Sequence, residues 1–295
     1  MIKKCIVLAG GTGDLGQRIA KALLLKGAGV RILTRSGSSL DKLGTLIKSG
    51  VEVATVDYNN PTGLAKACDG GTCVISALSG LREVIVEAQK KLLDAAVKAK
   101  VDRFIPSDYS IDFTKLPIGR NRNLDLRREF SSYLEKAPIS ATSILNGAFM
   151  DMLTGQAPFI LFKLNRVLYY GSADQLLDFT TKDDTASYTA EAALDPDTPR
   201  YLRIAGDQIS ARQLAEVVSR IKDKKYRLLY GGGLGMLNVM IQMAKTFSPK
   251  PDAIYPAWQG MQYMHNMFSG LPKLKPIDNN RYPHLNWTKV KDFLS

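Results

Sequence analysis

The chain has 295 residues, 45% of them hydrophobic and 23% charged, which is ample for a large core and ordinary for one or two globular domains. Its net charge of +12 comes from Lys and Arg spread along the chain. They cluster only at Arg120, Arg122, Arg127 and Arg128, with no nucleic-acid-binding motif beside them, so the excess is assigned to solvated faces and an anionic ligand rather than to nucleic acid.

The first strand-like run, residues 2–9, is apolar and β-branched and leads straight into a glycine loop, so no signal peptide is expected. Similar runs follow at 30–34, 51–56, 73–77, 104–106 and 139–145. Helical segments separate them at 15–26, 40–49, 62–68, 81–100 and 125–136. Short apolar strands alternating with helices predict βαβ units, hence a Rossmann-type, doubly wound parallel sheet over residues 1–150. Past 150 the alternation fades. Strands are expected at 166–170, 176–180 and 201–205, and helices at 183–194, 210–222, 234–247 and 257–267, with Ser39 and Ser210 as N-caps. Residues 151–295 therefore read as a smaller, mostly helical substrate-binding region, some of whose strands extend the sheet. The longest apolar stretch, 234–244, is too short to span a bilayer and contains Asn238 and Gln242, so the protein is expected to be soluble and cytoplasmic. Cys5, Cys68 and Cys73 include no Cys-x-x-Cys and fit buried thiols of a reducing compartment. The two histidines, His265 and His284, lie far apart, and no metal site is expected.

The segment Gly10-Gly11-Thr12-Gly13-Asp14-Leu15-Gly16 lies between a strand and an amphipathic helix. Its glycines permit a tight turn and close backbone approach to a pyrophosphate, which the free N–H groups of the helix N-terminus then bind. NAD-binding domains usually end the second strand in Asp or Glu, to hold the ribose 2′-hydroxyl. Here Arg35 and Ser36 stand there, and a guanidinium suits a 2′-phosphate instead, so the cofactor is expected to be NADP(H). Ligands bind at the carboxyl ends of strands in open α/β sheets. That rule assigns Asp57 and Tyr58 to the adenine and Ser76, Ala77 and Leu78 to the pyrophosphate and nicotinamide ribose. It places Pro106, Ser107, Asp108 and Tyr109 under the nicotinamide. A second glycine run, 231–235, reads as a turn feeding a helix.

Together with the block Asn146-Gly147-Ala148-Phe149-Met150, these residues resemble the atypical short-chain dehydrogenases of the NmrA-like and isoflavone-reductase-like type. The resemblance implies an NADP(H)-bound monomer or homodimer with a cleft for a small, aromatic substrate. It also implies that Asn146, Gly147 and Phe149 border the cofactor. Members of the group are either reductases of small aromatic, quinone or enone compounds, or regulators that sense the dinucleotide without chemistry. No tyrosine here has a lysine four residues later, so the Tyr-x-x-x-Lys pair of ordinary short-chain dehydrogenases is absent. The lysine used by the isoflavone-reductase branch falls at Arg127. Arginine stays protonated and polarises an oxygen but does not readily deliver a proton. Proton transfer then falls to Tyr109, Ser107, Asp108 or water, or does not occur.

Overall fold

A computed structural model describes residues 4–37, 41–154, 159–248 and 253–295. Strand β1 (Cys5–Ala9) is followed by α1 (Asp14–Leu25), β2 (Gly29–Arg35), α2 (Gly44–Lys48), β3 (Glu52–Val56), α3 (Pro61–Cys68) and β4 (Cys73–Ser76). A π-helical run, Glu83–Ala88, then leads into α4 (Gln89–Lys98), and β5 (Arg103–Ile105), α5 (Arg122–Leu134) and β6 (Ser140–Ala141) complete the sheet. Six parallel strands run in the order β3-β2-β1-β4-β5-β6. Ile6, Val7, Leu8 and Ala9 are all fully buried, because helices cover both faces and each side chain of β1 meets a core. In α1 the buried positions Gly16, Ile19, Ala20 and Leu23 form one helical stripe against the sheet. The order reverses between β1 and β4, and that switch point opens a crevice beside the glycine loop.

The expected strand at 139–145 divides at Thr142 into β6 and β7 (Ser143–Leu145). The Thr142 Oγ1 accepts from the buried Arg103 Nη1 at 2.7 Å, while its N–H keeps a 3.1 Å bond to Phe104 O. Beyond this break β7 pairs in parallel with β12 (Tyr201–Arg203), so a strand from the second half continues the layer. Between them lie β8 (Ala148–Phe149), β9 (Ile160–Leu161), β10 (Arg166–Tyr169), β11 (Leu177–Thr180) and α6 (Lys182–Leu194), and α6 packs back on α1.

The rest comprises β13 (Asp207–Ile209), α7 (Ala211–Ile221), β14 (Arg227–Tyr230), α8 (Leu234–Thr246), α9 (Ala257–Phe268) and α10 (Val290–Leu294). Two small sheets, β14-β10-β9 and β13-β11-β8, support these helices around a separate core that includes Phe159, Phe179, Met264 and Phe268. The sequence pattern outlined β10, β11 and β12 and a strand-like run before the second glycine loop, where β14 lies, but not β13 or the two-residue strands β8 and β9. Ser210 caps α7 through Gln213, while Ser39 lies outside the described residues. Among the described residues, no helix is long and apolar enough to cross a membrane and no cluster of His, Cys, Asp or Glu is arranged to hold a metal.

Candidate cofactor and active site

The glycine loop is held by backbone meeting backbone. Gly10 has φ +81°, and a Cβ there would stand 2.5 Å from Ala77 O; a Cβ on Gly16 would stand 2.2 Å from Gly10 O. No side chain fits at either position without moving main chain. Gly13 N donates to Gly10 O at 3.0 Å, Gln17 N closes the first helical bond to Gly13 O at 2.9 Å, and Gln17 Nε2 holds Thr12 O. The N–H groups of Asp14, Leu15 and Gly16 donate to no other described group, and no side chain caps α1. The Asp14 carboxylate faces Lys182 Nζ at 2.8 Å and Arg18 Nε at 2.7 Å, and these two cations, Lys182 first, hold its pKa below the usual value. Lys182 also reaches Asp151 at 3.1 Å, which ties the loop to the second half. Leu15 packs into the core between α1 and the sheet.

At the ends of β4, β5 and β7 stand polar atoms that are buried and unpartnered: Ser76 Oγ, Asp108 Oδ1 and both side-chain atoms of Asn146. Leaving such groups without partners costs stability, and their gathering along one edge marks a place built for a polar ligand. The residues there fit a dinucleotide: free N–H groups at α1, a cradle closed to any Cβ, and orphaned groups at neighbouring strand ends. Ala77 N donates to Ala9 O and Leu78 O accepts from Ser107 Oγ at 2.6 Å, so the β4 and β5 ends are tied together. Pro106 O accepts from Asp108 N, which forms a tight turn after β5. Gly147, with φ +68°, brings its backbone against Asp178 O, and Phe149 pairs with Thr180 of β11 and packs beside α1's core.

Arg127, buried on α5, donates from Nε to Ser107 O and from Nη1 to Asn123 O, both at 3.0 Å. Its Nη2 makes no hydrogen bond to a described residue. Gln89, fully buried at the start of α4, accepts from Ser107 N at 2.9 Å and donates to Ile85 O across the π-helical turn. Ser107 is thus gripped from both sides. Asp108 Oδ2 accepts from Ser143 Oγ at 2.6 Å, and Arg200 donates to the same hydroxyl. Burial pushes the Asp108 carboxyl up against the pull of Ser143, Arg127 and Arg200. Ser107, Asp108 and Arg127 therefore come together. Tyr109 does not join them: its ring is only 7% exposed, within the core that holds Ile105, Ile144 and Tyr188, and burial raises its pKa. The second half brings Tyr263 of α9 into the electrostatic reach of Arg127, a residue that the sequence analysis did not single out. Burial raises its phenol to about 12, against the pull of the Arg127 and Arg122 guanidinium groups. Met264 and Phe268 belong to the second core, whereas Met152 and Tyr263 are only partly buried beside it.

At the end of β2, Arg35 is exposed and makes no hydrogen bond or ion pair with another described residue; Ser36 beside it is exposed as well. Arg35 is close enough to Tyr58 to oppose the burial that pushes that phenol up to about 12. Asp57 Oδ1 accepts from Asn59 N at 2.8 Å, which shapes the β3–α3 turn. Two cavities of about 410 and 390 Å³ lie elsewhere, neither lined by the glycine loop.

A parallel sheet with a glycine loop at its switch point and polar strand ends beside it defines a dinucleotide-binding class of protein. The chain belongs to the NmrA-like family, whose profile matches residues 2–283. It is 27% identical over 249 residues to pinoresinol reductase 2 of Arabidopsis thaliana, covering 78% of each chain. It is 30% identical over 239 residues to the bifunctional pinoresinol-lariciresinol reductase of Linum perenne, covering 75% of this chain and 76% of that one. Its fold superposes on the solved structure of AtPrR2 with NADP+ and (+)pinoresinol with a TM-score of 0.83, at 22% identity, over 100% of this chain and 98% of that one.

Proposed function

We propose that this protein is an NADPH-dependent reductase of a small aromatic, quinone or enone substrate. The observation that carries the reading is the Gly10–Gly16 cradle, with Arg35 uncommitted at the end of the next strand. The relatives, which by name are reductases of pinoresinol and lariciresinol, support it. In this reading Arg35 and Ser36 hold the 2′-phosphate, Asp57 and Tyr58 border the adenine, and the Asp14–Gly16 N–H groups bind the pyrophosphate. Ser76, Ala77, Leu78, Asn146, Gly147 and Phe149 flank the nicotinamide half. The bound cofactor supplies a hydride to an electron-poor carbon. Arg127, anchored by two of its nitrogens, offers Nη2 to the developing oxyanion as a preorganised donor. Tyr263, a neutral phenol at pH 7 within the electrostatic reach of that guanidinium, is the proton donor of this reading in place of Tyr109. The substrate cleft lies between the sheet and the region 151–295. Turnover of NADPH with a panel of quinones, enones and aromatic aldehydes tests the reading: oxidation by at least one acceptor is expected, and none by any acceptor contradicts it.

One observation favours a second reading, a regulator that senses NADP(H) without chemistry. Two of the Arg127 nitrogens are spent on backbone carbonyls, so its anchoring role is complete without a substrate. Tight binding with no turnover, together with a protein partner whose affinity depends on the dinucleotide, would establish it.

A further inference from the structure

Between the loop before α5 and the helices α8 and α9 lies the cavity of about 390 Å³, at the small end of the range for organic ligands. Its chemistry is one-sided. Of the four clustered arginines, Arg122 gives its guanidinium to Ala253 O and Ile254 O, Arg127 holds Ser107 O, and Arg128 holds Phe113 O and Leu116 O. Arg120, which lines the cavity, makes no hydrogen bond or ion pair with a described residue. Across from it on α9 is Gln262, 4% exposed. Its Oε1 accepts from Arg122 N at 3.2 Å, and its Nε2 donates to no described acceptor. His265, one turn further along the same face, also lines the space, and burial together with Arg120 keeps its imidazole below the usual 6.5. Among the described residues, no Asp or Glu lines the cavity. Asp125, in the first turn of α5, accepts from Gly119 N at 3.1 Å. The remaining wall includes Pro117, Ile118 and Ile241. One free cation, a set of N–H donors and an apolar wall complement an organic anion.

We propose that this cavity binds the carboxylate of a small organic acid, namely the acid end of the reductase's own substrate. This rests on the reductase reading. The link is α5: Arg120 stands two residues before the helix that carries Arg127, and Arg122 at its start is bonded to Gln262 of the cavity wall, so one element carries both the anion site and the oxyanion donor. Substrates with an apolar body and a carboxylate at one end are then preferred over their neutral esters.

The test titrates the NADPH complex with cinnamate and with methyl cinnamate, in the wild type and in Arg120→Ala, an exposed position whose replacement leaves the core intact. Cinnamate is expected to bind at least tenfold more tightly than its ester. Arg120→Ala should remove about tenfold of the acid's affinity and leave the ester and NADPH unchanged. Cinnamate should also compete with a turned-over quinone or enone acceptor. Equal binding of acid and ester, or acid binding indifferent to Arg120, overturns the site. Arg120-dependent binding without competition overturns its assignment to the substrate. Acid and NADPH affinities are read without turnover, so an absence of any NADPH oxidation sinks the reductase reading and the substrate assignment while leaving the anion site measurable on its own.

Discussion

The molecule has two glycine loops, each following a strand and opening a helix, and they are built differently. In Gly10–Gly16, a Cβ on Gly10 or Gly16 would strike main chain, Ala77 O at 2.5 Å and Gly10 O at 2.2 Å, while one on Gly11 would meet the Ile32 side chain at 2.6 Å. In the loop at 231–235 a Cβ would meet side chains, Tyr170 beside Gly231 and Met236 beside Gly232, and Gly235 has open space. The first loop brings backbone to backbone and leaves the N–H groups of α1 free for a ligand. The second turns the chain from β14 into α8, with Gly171 N bonded to Gly232 O. The two loops differ in that main chain stands behind Gly10 and Gly16 of the first and behind none of the glycines of the second.

Substitutions break this comparison in order of size. Gly16→Ala forces Cβ against main chain that cannot yield, so NADPH affinity is expected to fall at least a hundredfold, with about 1–3 kcal/mol lost from stability. Gly235→Ala, in a helix with open space, should leave affinity unchanged and raise stability by about 0.5–1 kcal/mol. Calorimetric titration and thermal melts of the pair read both effects, and similar losses in the two variants would end the distinction. Arg127→Ala removes the oxyanion donor and the grip on Ser107. A fall of about 10² in kcat, exceeding any rise in KM, is expected for steady-state turnover. A change in KM alone would point to ground-state binding instead.

The smallest effect concerns pH. The folded protein raises the Asp108 pKa from 3.8, burial being the main cause, so folding favours the protonated form. Wild-type stability relative to Asp108→Asn is then full below the ordinary carboxylate range and declines as pH rises through the interval up to the raised value. Urea melts across that interval should show the gap moving in the variant's favour with increasing pH, and a pH-independent gap would rule this out.

The strands of the first half and the cofactor loop were legible in the sequence because their causes are local. An apolar run of four to seven residues, or a glycine spacing between a strand and a helix, needs no knowledge of distant contacts. Arg35 was legible for the same reason, as the residue ending a strand. The interior of the site was not. Tyr263 nears Arg127 only because α9 folds back on α5, a contact illustrated by Arg122 N and Gln262, 140 residues apart. Gln89 meets Ser107 through a π-helical turn that a regular helical period at 81–100 does not foresee. Tyr109 pointed to chemistry by its position after β5, but its ring turned to the opposite face of the sheet from Ser107's partners. Gln89, a polar residue among Ile85, Val86, Leu92 and Leu93 on the buried face of its helix, is a signal that the sequence analysis did not use.

The most direct test of the central claim is a fluorescence titration of the wild type and Arg35→Ala with NADPH and NADH. Charge-assisted bonds to a 2′-phosphate are worth about 1.5–3 kcal/mol, so the variant should bind NADPH about ten- to a hundredfold more weakly and NADH as before. Wild-type protein that binds both nucleotides equally, or an Arg35→Ala variant that keeps its preference for NADPH, would contradict the assignment of the 2′-phosphate to Arg35. Failure to bind either nucleotide would contradict the cofactor site itself.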